Sequence, residues 1–323
     1  MTIYGKEQAL GLLQAMRRSD RLPHSFLLYG PTGAGKKTLA RYLAAQLLCE
    51  AEEAPCFSCR SCRTVCSDQH PDVITVAHSG KLGGFSVDTI RHVCSDAYVV
   101  PNNGARKVYL FEDADRITVQ AQNALLKLVE EPPDCTYFIF TAADKHVFLD
   151  TILSRVSSIG VMPCSESECR TALTELGYSD TDAAEAITAF HGNLGQCLSY
   201  LTSEDTKRAV ERIRVLSDCL VRRDEYGLLV ALTAASGDKQ ELRLCLNLFD
   251  RLLRDAIVLR SGSGTCIGCD PHGAMALSSR LTLKSVERMH RAISDTMKQI
   301  EGNVSPALAV SALCGAVMQA GGL

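Results

Sequence analysis

A glycine-rich segment that ends in lysines points to chemistry more directly than any other part of the sequence. Residues 24–38 read HSFLLYGPTGAGKKT, in which Gly30, Gly35 and Lys36 fit the pattern G-x-x-x-x-G-K. In this pattern the backbone N–H groups of the loop surround phosphate oxygens, and the lysine reaches the outer phosphates. An apolar run precedes the loop and a helix-forming run follows it, as the pattern requires. We therefore predict a phosphate-binding site for ATP or ADP, although a strand-to-helix turn that binds nothing is the alternative. The predicted site residues are Gly30, Pro31, Thr32, Gly33, Ala34, Gly35, Lys36, Lys37 and Thr38.

One position of this loop departs from the usual pattern. The residue after the lysine is normally Ser or Thr, whose hydroxyl binds Mg²⁺, but here it is Lys37. The hydroxyl comes one residue later, at Thr38, where a helical step of about 100° turns it away from the metal position. The sequence is thus compatible with nucleotide binding but argues against Mg²⁺-assisted hydrolysis.

An acidic pair follows a second apolar run. Residues 107–117 read KVYLFEDADRI, so that Glu112 and Asp113 stand at the carboxyl end of a predicted strand. In a parallel sheet this is the edge at which a phosphate loop also lies. The segment looks like a Walker B motif, which usually ends Asp-Glu, and here the order of the two acids is reversed. We interpret it as a degenerate catalytic pair, and the alternative is a pair of solvated acids at a strand end.

Four cysteines lie between the phosphate loop and the next strand. Their spacing is C-x6-C-x2-C-x2-C, which brings enough thiolates together for one tetrahedral Zn²⁺. Four sulfurs leave no open position for water, so the predicted role is structural; buried or redox-active thiols are the alternative. Cys66 is a candidate substitute ligand, whereas His70 fits a loop or capping role better. The predicted ligands are Cys49, Cys56, Cys59 and Cys62.

A second cysteine pair carries a weaker signal. Cys266 and Cys269, with His272 nearby, lie in a loop rich in Gly and Ser and have no partner pair in the sequence. We interpret them as ordinary loop cysteines.

A single arginine ends the segment TILSR. Arg155 follows a short predicted helix and has no acidic residue close to it in sequence. Such an arginine is usually a surface residue. The alternative is an arginine finger, a charge that is offered to a phosphate bound by a neighbouring subunit.

Apolar runs that alternate with helical patterns position these residues. We predict strands at 25–29, 72–77, 107–112, 136–141 and 158–162, a lead-in helix at 6–18, and a helix that Thr118 caps and Pro132 stops. Such alternation favours a mostly parallel sheet that is covered on both faces.

Composition narrows the class of protein. The chain has 323 residues, 46% of them hydrophobic, which suits two or three ordinary globular domains. No long apolar segment or signal-peptide pattern is present, and the 15 cysteines then suggest reduced thiols; we expect a cytoplasmic protein. A net charge of −3 without a long basic run gives no sign of autonomous DNA binding.

Taken together, these segments resemble the AAA+ subunits of bacterial DNA polymerase III clamp loaders. Most of the first 160 residues carry the resemblance. The likeness implies an α/β fold in which an AAA+ P-loop domain with a parallel five-stranded sheet and a zinc insert is followed by a small helical lid and an all-α collar. It implies domains at 1–163, with the insert at about 49–66, then 164–205 and 206–323. The matching segments are the phosphate loop, the cysteine insert with His70–Asp72, Val87–Arg91, Asn123–Pro133 and Thr151–Arg155.

Within this family, the departures resemble the delta-prime type. Alignment with the gamma/tau ATPase pattern places the sensor-one residue on Ala143 and the sensor-two arginine on Gly195. Together with Lys37 and the reversed acids, these are four departures from the residues that the family uses to hydrolyse ATP. The serine-arginine pair that serves a neighbouring subunit is nevertheless present at Ser154 and Arg155, although the cysteine that usually follows is Val156.

The resemblance implies a stator, a rigid subunit that completes a neighbour's active site and hydrolyses little or no ATP itself. Its partners would be delta and gamma/tau subunits in a hetero-pentamer that loads a sliding clamp onto primed DNA. Two alternatives remain open: a catalytically active gamma/tau-type ATPase, and a zinc-bearing adaptor that uses the AAA+ core only as a fold. Periodic apolar stripes beyond residue 206 favour an intramolecular core, and the family suggests that some of them face neighbours instead.

Overall fold

Two compact units make up the chain, and the boundary between them lies at residue 164. The computed structural model describes residues 2–19, 22–79, 84–103, 105–262, 264, 266–302 and 304–322. The first unit is Met1–Cys164 and the second is Ser165–Leu323. The further division of the second part at residue 205 stays a prediction.

Five apolar segments pair as a single parallel sheet in the first unit, in the order β2-β3-β4-β1-β5. The three interior strands β3, β4 and β1 carry long runs of buried residues, because helices cover both faces of the sheet. The parallel sheet that the sequence predicts is therefore confirmed. The strands are β1 (Ser25–Tyr29), β2 (Val73–Thr75), β3 (Lys107–Phe111), β4 (Thr136–Ala142) and β5 (Ser157–Gly160).

Alternate residues of the strands build a separate core on each face of the sheet. On one face, Phe26 and Leu28 pack with Leu39 and Leu43 of the helix that follows the phosphate loop. On the other face the core is largely aromatic. The rings of Phe111 and Phe140 stack there with centroids 4.6 Å apart. The two cores fix the strand ends, and hence the residues that follow the strands.

The helices of the first unit match the apolar periodicity of the sequence. Thr118 accepts a hydrogen bond from the backbone N–H of Ala121, as expected for the cap of the helix that follows it. The helices are α1 (Glu7–Arg18), α2 (Lys36–Leu48), α3 (Arg60–Cys66), α4 (Val87–Asp96), α5 (Val119–Glu130) and α6 (Asp150–Leu153).

The described part of the second unit is built from helices. The predicted stripes lie mostly inside it: Ile213, Leu252, Ile293 and Leu313 are almost fully buried, which favours the intramolecular interpretation. The helices are α7 (Glu166–Glu175), α8 (Asp180–Phe190), α9 (Leu194–Thr202), α10 (Glu204–Arg222), α11 (Glu225–Thr233), α12 (Lys239–Ser261), α13 (Pro271–Ser278), α14 (Leu283–Glu301) and α15 (Pro306–Gly321).

The second strand, Val73–Thr75, is shorter than the predicted strand 72–77, and Asp72 lies directly before it. Its carboxylate is fully buried and accepts hydrogen bonds from the backbone N–H groups of Asn102 and Asn103 and from the Asn102 side chain. His70 Nδ1 accepts the N–H of Asp72, which confirms a loop role for this histidine. Asp72 therefore ties the entry of β2 to the loop that precedes β3. Although burial opposes ionisation, the three donors hold the pKa of Asp72 below its ordinary value.

Gly30 closes the carboxyl end of β1 against the neighbouring strands. Its N–H donates to the Ala142 carbonyl, and Tyr29 accepts from the N–H of Val161. A Cβ atom on Gly30 would lie 2.1 Å from the Val161 carbonyl oxygen, and the φ angle of 152° is one that other residues rarely adopt. The phosphate loop therefore begins at a position that only glycine can occupy.

We expect Gly30→Ala to lower the free energy of unfolding by about 2 kcal/mol or more, since both the clash and the backbone angle oppose the added methyl group. Urea denaturation followed by circular dichroism measures the change. Gly11→Ala is the matched control, because a Cβ atom there meets no atom within 4 Å and Gly11 lies within α1. The control should be neutral or slightly stabilising. Equal effects of the two substitutions would contradict the interpretation.

For Asp72→Asn we expect a loss of about 2 kcal/mol of stability near neutral pH, because an amide cannot accept all three hydrogen bonds. The folded-state pKa of Asp72 is lowered, so its stabilising effect is present above the unfolded pKa and is lost as pH falls through the folded value. The difference between the two proteins should therefore be largest above about pH 5 and shrink below about pH 4. Asp88→Asn, at an exposed site, should show little difference at any pH; the same small effect for Asp72→Asn would count against this role.

Candidate nucleotide site, metal cluster and surface arginine

The predicted phosphate loop joins β1 to α2 at the carboxyl edge of the sheet. Gly33 and Gly35 both have positive φ angles, 86° and 89°, and Gly35 immediately precedes the first residue of α2. These angles let the loop curl over the start of the helix, where backbone N–H groups are free of helical partners. The loop thus has the shape that holds phosphate oxygens in proteins with this sequence pattern.

Lys36 is folded back onto its own loop. Its ammonium donates to the carbonyl oxygens of Gly30 at 2.7 Å and Pro31 at 3.0 Å, and the residue is only 6% exposed. Burial lowers the pKa of Lys36, and the nearby carboxylates of Asp115 and Asp113 partly oppose that effect. The charge is therefore held at the mouth of the loop, where a phosphate would lie.

Lys37 is paired with both acids that follow β3. Its ammonium lies 3.2 Å from Glu112 Oε2 and 2.6 Å from Asp113 Oδ2. Although partial burial opposes the charge, the contacts with Asp113 and Glu112 raise the pKa of Lys37 above its ordinary value. The residue that replaces the metal-binding hydroxyl thus binds the carboxylates that would otherwise hold the metal.

Arg41 adds a second cation one helical turn further along α2. It lies 3.1 Å from Glu112 Oε1 and binds the Asp68 carboxylate through Nε at 2.6 Å. Asp68 follows α3, the helix that contains the predicted ligand Cys62 and is capped by the predicted ligand Cys59. The acid pair is therefore connected through Arg41 to the cysteine insert.

Several residues of this site were not identified from the sequence. The backbone N–H of Asp113 donates to Thr141 Oγ1 at 2.9 Å, and that of Ala143 donates to Asp115 Oδ1 at 2.6 Å, so the ends of β3 and β4 are fastened together. Arg41 could have been found, since residues i and i+4 of a helix share a face. Nothing in the spacing of the surrounding sequence indicated that Thr141 and Asp115 belong to this site.

The site does not suit a magnesium ion. Mg²⁺ requires nearly octahedral oxygen ligands and usually takes carboxylates together with a hydroxyl. Here Lys37 stands in place of the hydroxyl, and its ammonium together with Arg41 already binds Glu112 and Asp113. This agrees with the doubt that the sequence raises about a Mg²⁺ site.

The four predicted metal ligands do come together. The sulfur atoms of Cys49, Cys56, Cys59 and Cys62 lie within 4.8 Å of one another, and those of Cys59 and Cys49 are 4.0 Å apart. Ligands at about 2.3 Å around a tetrahedral metal would be about 3.8 Å apart, so the cluster could hold a metal ion. Exposed Cys66 lies outside this group.

Backbone groups already orient these sulfurs. Cys59 Sγ accepts the N–H of Cys62 as the cap of α3, and Cys56 Sγ accepts the N–H of Cys59 at 3.3 Å. Hydrogen bonds from the Ser58 hydroxyl and from the Cys59 and Ser58 N–H groups lower the pKa of Cys56 to about 5, whereas burial raises the pKa of Cys62. Such N–H···S contacts are the outer-shell bonds that steady thiolate ligands.

Arg155 stands on the surface at the end of α6. Its side chain is 39% exposed, and it lies 2.8 Å from Glu130 Oε1 at the end of α5. Nη1 also donates to the Thr151 carbonyl and to Ser154 Oγ. The guanidinium is thus held in place yet accessible, and its acidic partner is distant in sequence.

The second cysteine pair does not form a comparable cluster. Among the described residues, only the four insert cysteines form a group of three or more potential metal ligands. Cys269 is buried, and the backbone N–H of Gly268 beside it donates to the buried carboxylate of Asp255. This agrees with the interpretation of Cys266 and Cys269 as ordinary loop residues.

No helix in the described part of the chain is both long enough and apolar enough to cross a membrane.

The chain is similar to known replication proteins. It is 33% identical over 172 residues to "DNA polymerase III subunit delta'" of Pseudomonas aeruginosa, and the aligned residues make up 52% of each chain. It is 27% identical over 267 residues to the Escherichia coli protein of the same name, covering 82% of this chain and 78% of that one. It is also 33% identical over 155 residues to "DNA polymerase III subunit gamma/tau" of Mycobacterium tuberculosis, covering 47% of this chain and 27% of that protein. The chain thus spans about half the length of the Pseudomonas relative and about a quarter of the gamma/tau relative that it matches.

A family model gives the same result. Residues 5–165, which contain the sheet, the phosphate loop and the cysteine cluster, match the family described as "DNA polymerase III, delta subunit". Through these residues, the chain belongs to the delta-prime family of DNA polymerase III subunits.

Proposed function

We propose that this chain is the stator of a DNA polymerase III clamp loader. In this role it helps other subunits to use ATP to place a sliding clamp on primed DNA, while hydrolysing little or no ATP itself. The observation that carries the proposal is the state of the hydrolytic site, where the Lys37 ammonium lies 2.6 Å from Asp113. The match to a family of DNA polymerase III subunits supports the assignment of the chain to a clamp loader.

Weak hydrolysis follows from the geometry of the acids. A hydrolytic site needs one carboxylate to place the metal and one to orient the attacking water. Glu112 and Asp113 are both bound by cations of α2, and each differs by one methylene from the usual order. A misplacement of about 1 Å can cost on the order of a hundredfold in rate.

Arg155 is the group that we propose to serve a neighbouring subunit. It is exposed, and its bond to Glu130 is a surface ion pair, which contributes only about 0 to 1 kcal/mol. A phosphate chain is a stronger partner for a guanidinium, because the two can form parallel charge-assisted hydrogen bonds. Arg155 can therefore leave Glu130 when a nucleotide on another subunit is presented to it.

The proposed partners are delta and gamma/tau subunits in a hetero-pentamer, together with the clamp and primed DNA. The net charge of −3 favours contact with DNA as part of the complex over independent binding. The proposed location is the cytoplasm.

In a reconstituted complex, Arg155→Ala should lower hydrolysis at the ATP site it completes by about 10³-fold, the lower end of the range for arginine fingers. The measurement is the ATPase rate of the complex with clamp and primed DNA. Arg155→Lys should restore only a small part of the lost ATPase rate, because lysine lacks the planar guanidinium that binds two phosphate oxygens at once. Arg18→Ala, at another exposed arginine of the first unit, is the control and should leave the rate unchanged.

Size-exclusion chromatography must show that every variant assembles equally. If the assembled Arg155→Ala complex hydrolyses ATP as fast as the unmodified complex, Arg155 has no such role. Turnover by the isolated chain that disappears in Lys36→Ala would favour an active gamma/tau-type ATPase. Failure to associate with any clamp-loader subunit would favour the adaptor.

We also propose that the cysteine cluster holds structural zinc, about one ion per chain. Four thiols with sulfurs at tetrahedral spacing suit Zn²⁺, and they leave no ligand position for a reaction. The bound metal would join the end of α2, at Cys49, to the start of α3, at Cys62.

Cys59→Ser should release the metal and destabilise the insert, because a thiolate ligand is lost while the serine hydroxyl can still cap α3 in place of the Cys59 sulfur. Inductively coupled plasma mass spectrometry on protein purified under reducing conditions measures the zinc content. Cys66→Ser should retain the metal, since that thiol is exposed and outside the cluster. Absence of zinc from the unmodified protein would refute the assignment.

A further inference from the structure

The phosphate loop carries its own substitute for a divalent cation. In sites of this kind a metal ion of charge +2 lies beside the two strand-end carboxylates, one of which places it. Here the carboxylates of Glu112 and Asp113 are paired with Lys37 and Arg41, each with charge +1, and Arg41 is shared with Asp68. Two side chains of α2 thus supply positive charge at the position where a metal would bring it.

The two cations come from one helical face, and both are fixed by contacts. Lys37 bridges Glu112 and Asp113, while Arg41 bridges Glu112 and Asp68. Residues four apart on a helix lie one above the other, so both side chains reach the end of β3 together. A metal ion would have to displace these ionic contacts while lying next to two positive groups.

Lys36 and Lys37 are the first two residues of α2, and the Lys37 charge adds to the effect of burial in lowering the pKa of Lys36. Lys36 reaches the mouth of the loop, where it donates to Gly30 and Pro31 carbonyls. An incoming phosphate chain would therefore meet two neighbouring ammonium groups in addition to the loop N–H groups. Neither group depends on a metal for its position.

We infer that this phosphate loop binds the phosphate chain of a nucleoside di- or triphosphate without a divalent cation, with Lys37 and Arg41 in place of the metal. Magnesium adds nothing to the affinity, because Lys37 and Arg41 already pair with the carboxylates beside which the ion would lie. Nucleotide can therefore stay bound in a site that does not turn over. This concerns the chain's own nucleotide and is independent of the role proposed for Arg155.

Isothermal titration calorimetry of the full chain with ATP and with ADP tests the inference, once in excess EDTA and once in excess Mg²⁺. The dissociation constants of the unmodified protein should agree within about threefold, or be lower in EDTA. Lys37→Thr restores the hydroxyl and removes the ammonium. Its affinity in EDTA should be about tenfold weaker than in Mg²⁺.

Two further variants control the experiment. Lys207→Thr removes a lysine of similar exposure that pairs with Glu204 near the start of α10, and it should leave both affinities unchanged. Lys36→Ala should weaken binding about tenfold or more in both conditions, which places the ligand at the phosphate loop.

Binding by the unmodified protein that requires Mg²⁺ would overturn the inference, as would the absence of nucleotide binding in both conditions. A Lys37→Thr protein that binds equally well with and without Mg²⁺ would also overturn it. Because the readout is the affinity of the isolated chain, each of these results leaves the test of Arg155 in the assembled complex unaffected.

Discussion

The ionic contact between α2 and the end of β3 determines which groups the acids at this strand end bind. Lys37 lies 3.2 Å from Glu112 and 2.6 Å from Asp113, and Arg41 adds a second contact to Glu112. Each pair is partly exposed and alone would be worth little. Together they bind both acids to the helix that carries the phosphate loop. The same contact pairs those acids with cations, which supports the proposal that the chain hydrolyses little or no ATP.

Helix α2 connects the two features that the sequence singled out. Its first residue is Lys36 of the phosphate loop, and Cys49 of the cysteine cluster follows its last residue. A helix of 13 residues is about 20 Å long, so the two sites are too far apart to touch. They are nevertheless attached to one rigid element, and Arg41 with Asp68 forms a second connection between the acid pair and the insert.

Local patterns predicted the sheet, the phosphate loop and the four clustered cysteines, because short-range spacing and apolar runs determine them. The sequence also showed that Lys37 is unusual. It could not show what Lys37 binds, since Glu112 and Asp113 are about 75 residues away and meet it only through the sheet. The pairing of Arg155 with Glu130 was hidden for the same reason. Strand β2 was predicted too long, and the role of Asp72 beside it was hidden because its carboxylate binds the loop at Asn102, 30 residues away.

The edges of the sheet have a consequence for how the chain can meet other proteins. The outer strands β2 and β5 have only three and four residues. Short outer strands present few unpaired backbone N–H and C=O groups, which discourages the addition of a foreign strand. Side chains on helices and loops are therefore better placed to form an interface of this unit than its backbone, and recognition there depends on shape and charge.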